Sequence, residues 1–250
     1  PANKISRVAT MIDPATADLQ RIGHAAALTS PEIMKALSST PRGCIAISYF
    51  EWASPQSMRS VLPWTRICGP KDAETAAGII SSKGDTGLGR RIRGGTSISS
   101  AIAIASLLLD RFPGHADRMV IDISGNGENN DGMPVQQARA RAIGRGYTIN
   151  AIAVPSKDQN LDRPLASYFA DEVIGGDQAF VMVPKESSDY TTALRRKLVT
   201  EISWKLAPNS YPQGRQPRMN TASTRLASGG EASHPESRCH AVRRGGIAVC

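Results

Sequence analysis

The chain has 250 residues and a formal net charge of +8, with 40% hydrophobic and only 5% aromatic residues. That length suits one domain of ordinary size with a tail, and the longest apolar stretch, Ala101 to Leu109 with a single Ser, is far shorter than the roughly 20 residues of a membrane-spanning helix. Four cysteines (Cys44, Cys68, Cys239, Cys250) without short spacing exclude a disulfide-built scaffold and a zinc ribbon.

Ile5 to Ile12 reads as a first strand. Pro14, then Leu19, Ile22, Gly23 and Ala26, gives a helix with an apolar face. Pro31 to Leu37 is a second short helix. Cys44 to Trp52 is rich in β-branched and aromatic residues and reads as a strand, with Arg59 to Trp64 as its hairpin partner across Ser54-Pro55-Gln56. Cys44 and Cys68 could meet across that hairpin, although spacing alone does not fix the geometry a disulfide needs. Pro70 to Ile80 is helical, and Ser81 to Gly95 is a Gly/Arg/Lys loop. Ser97 to Asp110 is an apolar helix ended by Pro113-Gly114. Then follow a strand over Met119 to Ser124, a helix over Pro134 to Ile143 and a strand over Thr148 to Val154. A short helix over Leu165 to Phe169, a strand over Ala179 to Val183 and a helix over Ser188 to Trp204 complete the folded part. Strands separated by helices of this length predict a mostly parallel, doubly wound α/β sheet with helices on both faces and one antiparallel edge strand.

Residues 205–250 carry seven basic and two acidic side chains and no hydrophobic period. They are expected to form a disordered basic tail beyond a domain over 1–204, because such a segment buries too little apolar area to offset its ordering entropy. The tail lacks a dense basic run, so we read it as solvated and not as a nucleic-acid arm. The chain opens on Pro1, and a further N-terminal segment, holding any signal peptide, is expected before it.

In doubly wound sheets ligands bind at the carboxyl ends of the strands. Two loops there hold candidate residues. Gly94-Gly95-Thr96-Ser97 opens the apolar helix after a basic loop, and serves either as a turn with a helix cap or as an anion cradle. Asp122-Ile-Ser-Gly-Asn-Gly-Glu-Asn-Asn-Asp-Gly132 crowds Asn126, Glu128, Asn129, Asn130 and Asp131 between a strand and a helix. It serves either as an oxygen-ligand loop for a hard cation or as an Asx-rich turn capping the helix at Pro134. Gly125 and Gly127 mimic part of a dinucleotide fingerprint, but Asn130 occupies the third glycine position. Of the four histidines, His234 and His240 lie in the tail, and neither His24 nor His115 stands at a triad spacing to Ser97 or Ser124. No Gly-x-Ser-x-Gly elbow and no Walker lysine is present, so the chain is expected not to be an enzyme. The alternative is a phosphate- or nucleotide-handling protein using the Gly94-Gly95 and Gly125-Gly127 loops.

Seven blocks in order carry a resemblance: Asp18 to Leu28, Tyr49 to Ala53, Val61 to Thr65, Gly94 to Ser99, Val120 to Asn130, Thr148 to Ile152 and Val173 to Gly176. Over about residues 5–204 the chain resembles an uncharacterised family of bacterial, exported proteins with a von Willebrand factor A-like domain. The resemblance implies a six-strand doubly wound sheet. It also implies a divalent-ion site built from Asp-x-Ser-x-Ser after the first strand, a Thr in a second loop and an Asp in a third. Thr96 matches the second element and Asn126 stands at the third. Across the first, Arg7-Val-Ala-Thr-Met11 replaces the Asp and both Ser residues, with Asp13 just beyond. Mg²⁺ needs octahedral oxygen ligation with carboxylates, so the expected site is degenerate: weak Mg²⁺ or no cofactor, with Asp13, Asp122 or Asp131 as substitute ligands. The function implied is non-catalytic binding of another protein through Arg7, Gly94, Gly95, Ser97, Asn129 and Asn130.

Overall fold

The computed structural model describes residues 3–6, 14–82, 95–155, 163–203 and 246–249, all within one compact unit. Strands are β1 Asn3–Ser6, β2 Ile45–Trp52, β3 Met58–Ile67, β4 Ala116–Gly125, β5 Thr148–Ala153, β6 Val181–Met182 and β7 Gly246–Val249. Helices are α1 Pro14–Leu28, α2 Pro31–Ser38, α3 Pro70–Ser82, α4 Ile98–Asp110, α5 Val135–Gly144, α6 Leu165–Tyr168 and α7 Tyr190–Ser203. One π-helical turn, Phe169–Val173, continues α6.

All seven strands belong to one sheet. β3 pairs antiparallel with β2 at one edge and is expected to be there from the hairpin pattern. β4, β5 and β6 run parallel towards the other edge. The position between β2 and β4 is shared. Gly246–Val249 pairs with Ile45–Ile47 and with Ala116–Val120, whereas Asn3–Ser6 pairs with Phe50–Trp52 and with Asp122–Ser124. β7 and β1 thus lie end to end in one slot, both parallel to their neighbours.

Two expectations are corrected here. The sheet has seven strand segments, not six, and the expected tail over 205–250 ends in a strand. The physical cause is the length mismatch: β2 and β4 have 8 and 10 residues, and the four of β1 reach only part of their facing edges. Unpaired backbone donors and acceptors inside a covered sheet are costly. The uncharged Gly246-Ile-Ala-Val249 run fits the remaining gap. The expected first strand over Ile5–Ile12 is described only to Ser6. Residues 205–245 lie outside the described residues.

Strand alternation builds two cores. Phe50, Trp52, Ile121, Ile123, Ile149 and Ala151 face α4, α5 and the α6 segment. Ile45, Ile47, Tyr49, Ile152 and Val154 face α1, α2, α3 and α7. On this second face the middle of the sheet is polar. Glu51, Asp122, Ser124 and Asn150 occupy the alternate positions, and all four are buried. Arg21 Nη1 meets Glu51 Oε1 at 2.6 Å, Ser124 Oγ meets the Tyr190 hydroxyl at 2.9 Å, and Asn150 Nδ2 donates to Glu201 Oε1 at 2.6 Å.

A disulfide joins Cys44 and Cys68 at the open end of the β2–β3 hairpin. The spacing left this pairing open; the strand register, with Ile45 opposite Ile67, brings the two together.

Candidate functional site

Three segments meet at the carboxyl edge of the sheet: Ala53–Ser57 after β2, Gly95–Ser97 before α4 and Asn126–Pro134 after β4. Ser97 is the N-cap of α4, and its hydroxyl accepts from the Ser100 amide at 3.3 Å. The Ser97 amide donates to the Ala53 carbonyl at 2.8 Å, which ties the α4 start to the end of β2.

Asn129 and Asn130 lock the other side. Asn130 Oδ1 accepts from the Thr96 amide at 2.5 Å, and the Thr96 carbonyl accepts from the amides of Asn130 and Asp131 at 3.0 and 3.2 Å. Asn129 Oδ1 accepts from the Ser99 amide at 2.8 Å, and its own amide donates to the Tyr168 hydroxyl at 3.0 Å. The Asx-rich turn therefore caps α4, not the helix at Pro134, where the N-cap proline makes no side-chain cap. The packing is tight. A Cβ on Gly95 would come within 2.3 Å of Asp131 Cβ, and one on Gly132 (φ +82°) within 2.6 Å of Ser97 Oγ.

These bonds bear on each candidate ligand. An anion at the α4 start would need free N–H groups, yet the amides of Ser97, Ser99 and Ser100 already have partners in Ala53, Asn129 and Ser97. For a divalent ion, Thr96 and Asn126 offer only a hydroxyl and an amide, and Asp131 Oδ1 accepts from the Gly132 amide at 2.7 Å. Among the described residues no group of three or more His, Cys, Asp or Glu side chains converges for a metal. Mg²⁺ takes carboxylates in near-octahedral geometry, and Asp131 is the carboxylate that these three residues offer. Arg7, Asp13 and Gly94 lie outside the described residues.

Among the described residues no nucleophile meets a base here. The Ser124 hydroxyl is buried against Tyr190. His24 lies under the sheet, its Nδ1 against the Gln20 carbonyl at 2.7 Å and its ring 5.0 Å from that of Tyr49. Burial holds its pKa down at about 3, the Gln20 hydrogen bond opposing and the Lys197 charge assisting. His115 is exposed beside Asp117 at the opposite end of β4.

Sequence reasoning passed over a second set of residues. Arg163 stacks over the Tyr168 ring at 5.0 Å and pairs with Asp171 at 3.1 Å and Glu172 at 3.4 Å, so it braces the tyrosine that holds Asn129. Lys197 and Glu201 project from α7 beneath Asp122. The signal for the latter was present: Tyr190, Ala193, Leu194, Lys197, Leu198, Glu201 and Ile202 are all buried at helical spacing, with two charges in the apolar stripe.

Residues 7–206 match the family described as "Protein of unknown function (DUF1194)". The chain belongs to this family. Its fold is von Willebrand factor A-like. The chain is similar to the mussel byssus proximal thread matrix protein 1 (second crystal form; TM-score 0.53, 13% identity), covering 81% of this chain and 47% of that one. It is also similar to the pilus adhesin SpaC of Lactobacillus rhamnosus GG in its open conformation (TM-score 0.53, 13% identity), covering 81% of this chain and 30% of that one. The chain thus spans about half the length of the first and under a third of the second. At this identity the likeness establishes the fold alone. No curated protein sequence matches the chain. No helix among the described residues is long and apolar enough to cross a membrane.

Proposed function

We propose that this DUF1194 domain is a non-catalytic, metal-independent protein-binding module that works through the loops at the carboxyl edge of its sheet. The observation that carries the reading is the mutual locking of those loops by Asn129, Asn130 and Ser97. Their backbone is already in place, so a partner meets a preformed surface and little ordering entropy opposes binding. Asn126, Asn130 and Asp131 remain at least partly accessible on that surface. The fold's use in a pilus adhesin is in keeping with this role. Nucleotide handling has less support, because the Ser97, Ser99 and Ser100 amides at the α4 start already have partners.

The Cys44–Cys68 disulfide favours an oxidising compartment, and with it export to the cell envelope. The experiment is capture from an envelope extract by the immobilised full chain, against an Asn126→Arg chain of unchanged melting temperature. We expect a partner retained by the first and lost by the second. Equal retention by both, or none by either, would contradict the assignment of these loops.

A further inference from the structure

Beneath the sheet, Lys197, Asp122 and Glu201 form a closed set, with 1%, 4% and 1% of their surfaces exposed. Lys197 Nζ touches Asp122 Oδ1 and lies 2.5 Å from Glu201 Oε1. The Phe180 ring lies 5.8 Å from the same nitrogen. Asn150 donates to Glu201 Oε1, and its own Oδ1 accepts from the Phe180 amide at 3.1 Å, which fixes it in place. Asp122 Oδ2 and Glu201 Oε2 are buried without a hydrogen-bond partner. Two carboxyl groups therefore meet one ammonium group, away from water.

We propose that Lys197 and Asp122 condense into an intramolecular amide cross-link between α7 and β4, with Glu201 as the proton carrier. In water a carboxylate and an ammonium group stay apart as hydrated ions. Burial removes that hydration. It also holds the Lys197 nitrogen against the Asp122 carboxyl group, which replaces a bimolecular encounter. Glu201 is suited to its role. Burial first, and then the charge of Asp122, push its pKa up to about 8 against the opposing pull of Lys197, so near neutral pH it has a proton to lend.

The step balances. One ammonium proton passes by way of Glu201 to the Asp122 carboxylate, leaving a neutral amine and a neutral acid. The amine lone pair attacks Asp122 Cγ. The second nitrogen proton returns through Glu201 to the departing hydroxyl, the C–O bond breaks and water leaves. Glu201 ends protonated as it began, and nothing is oxidised or reduced. The product replaces two buried ions by one neutral amide.

The test is the intact mass of the full chain, purified folded and then reduced. We expect it to fall below the sequence mass by one water molecule. Trypsin should release a branched species joining residues 119–139 to residues 197–205, uncut after Lys197. Lys197→Arg and Glu201→Gln chains should carry their full sequence masses. A folded wild-type chain at its full mass would overturn the cross-link. So would loss of water without the branched peptide, as an aspartyl succinimide would give. A folded Glu201→Gln chain that still forms the branched peptide would overturn the role of Glu201. The wild-type measurement stands even if a variant fails to fold.

Discussion

Arg21 and Glu51 face each other with almost no water between α1 and β2, and Arg59 reaches the other Glu51 oxygen only at 3.8 Å. Removing one partner of a buried pair leaves the other charge uncompensated, at a cost of about 3–5 kcal/mol. Arg21→Ala should therefore lower stability towards the bottom of that range, since Arg59 retains part of the compensation; chemical denaturation measures this. His24 and Glu201 set a pH profile. The pKa of His24 is lowered to about 3, so acidification below its ordinary value near 6.5 favours the unfolded state, which takes up the proton. That of Glu201 is raised to about 8, so stability falls as pH rises from about 4.5 to 8, where only the unfolded state loses its proton. Each slope is about 1.4 kcal/mol per pH unit and they oppose each other. These two groups thus contribute a plateau between about pH 4.5 and 6.5 with losses on both sides, readable as melting temperature against pH. The amide cross-link would leave burial, the largest cause of the Glu201 shift, in place, so the direction stands. Part of this was legible beforehand. Alternation in Val120-Ile-Asp-Ile-Ser124 puts Asp122 and Ser124 on one face, but only the packed α7 shows that the face meets a lysine and a glutamate, not solvent.

At the scale of elements, the glycines separate tight contact from empty space. Gly95→Ala should cost stability, because Asp131 Cβ and Asn130 Oδ1 would meet the new carbon and the loops would have to part. Gly78, inside α3, has nothing within 4 Å of an added Cβ, so Gly78→Ala should stabilise by up to about 1 kcal/mol. Thermal melts of the two variants should move in opposite directions. The disulfide spans 24 residues of sequence, and in the chain-entropy account closing such a loop contributes about 3 kcal/mol. Reduction should lower the melting temperature of the oxidised chain by several degrees. Helices and strands were readable from period and punctuation because each carries one apolar face. The cap on α4 was not, since its Asn129 and Asn130 come from a loop thirty residues downstream.

For the whole molecule, the doubly wound order and the antiparallel edge follow from alternating strand and helix patterns with one hairpin. The filling of the β1 slot by Gly246–Val249 does not, because four weakly patterned residues acquire a strand only from the unpaired edges they meet. Deleting residues 246–250 should expose those edges of β2 and β4 and lower the melting temperature, whereas a tail without a place in the sheet would leave it unchanged. In the proposed function the loop surface binds its partner without a metal. Thermal unfolding of the full chain in EDTA and then in millimolar Mg²⁺, Mn²⁺ or Ca²⁺ decides this. A bound ion at a hundred times its dissociation constant would add about 2.7 kcal/mol and raise the transition by several degrees. The melting temperature should be the same in all four conditions; a rise with any of these ions that disappears in Thr96→Ala would show that the surface holds a metal.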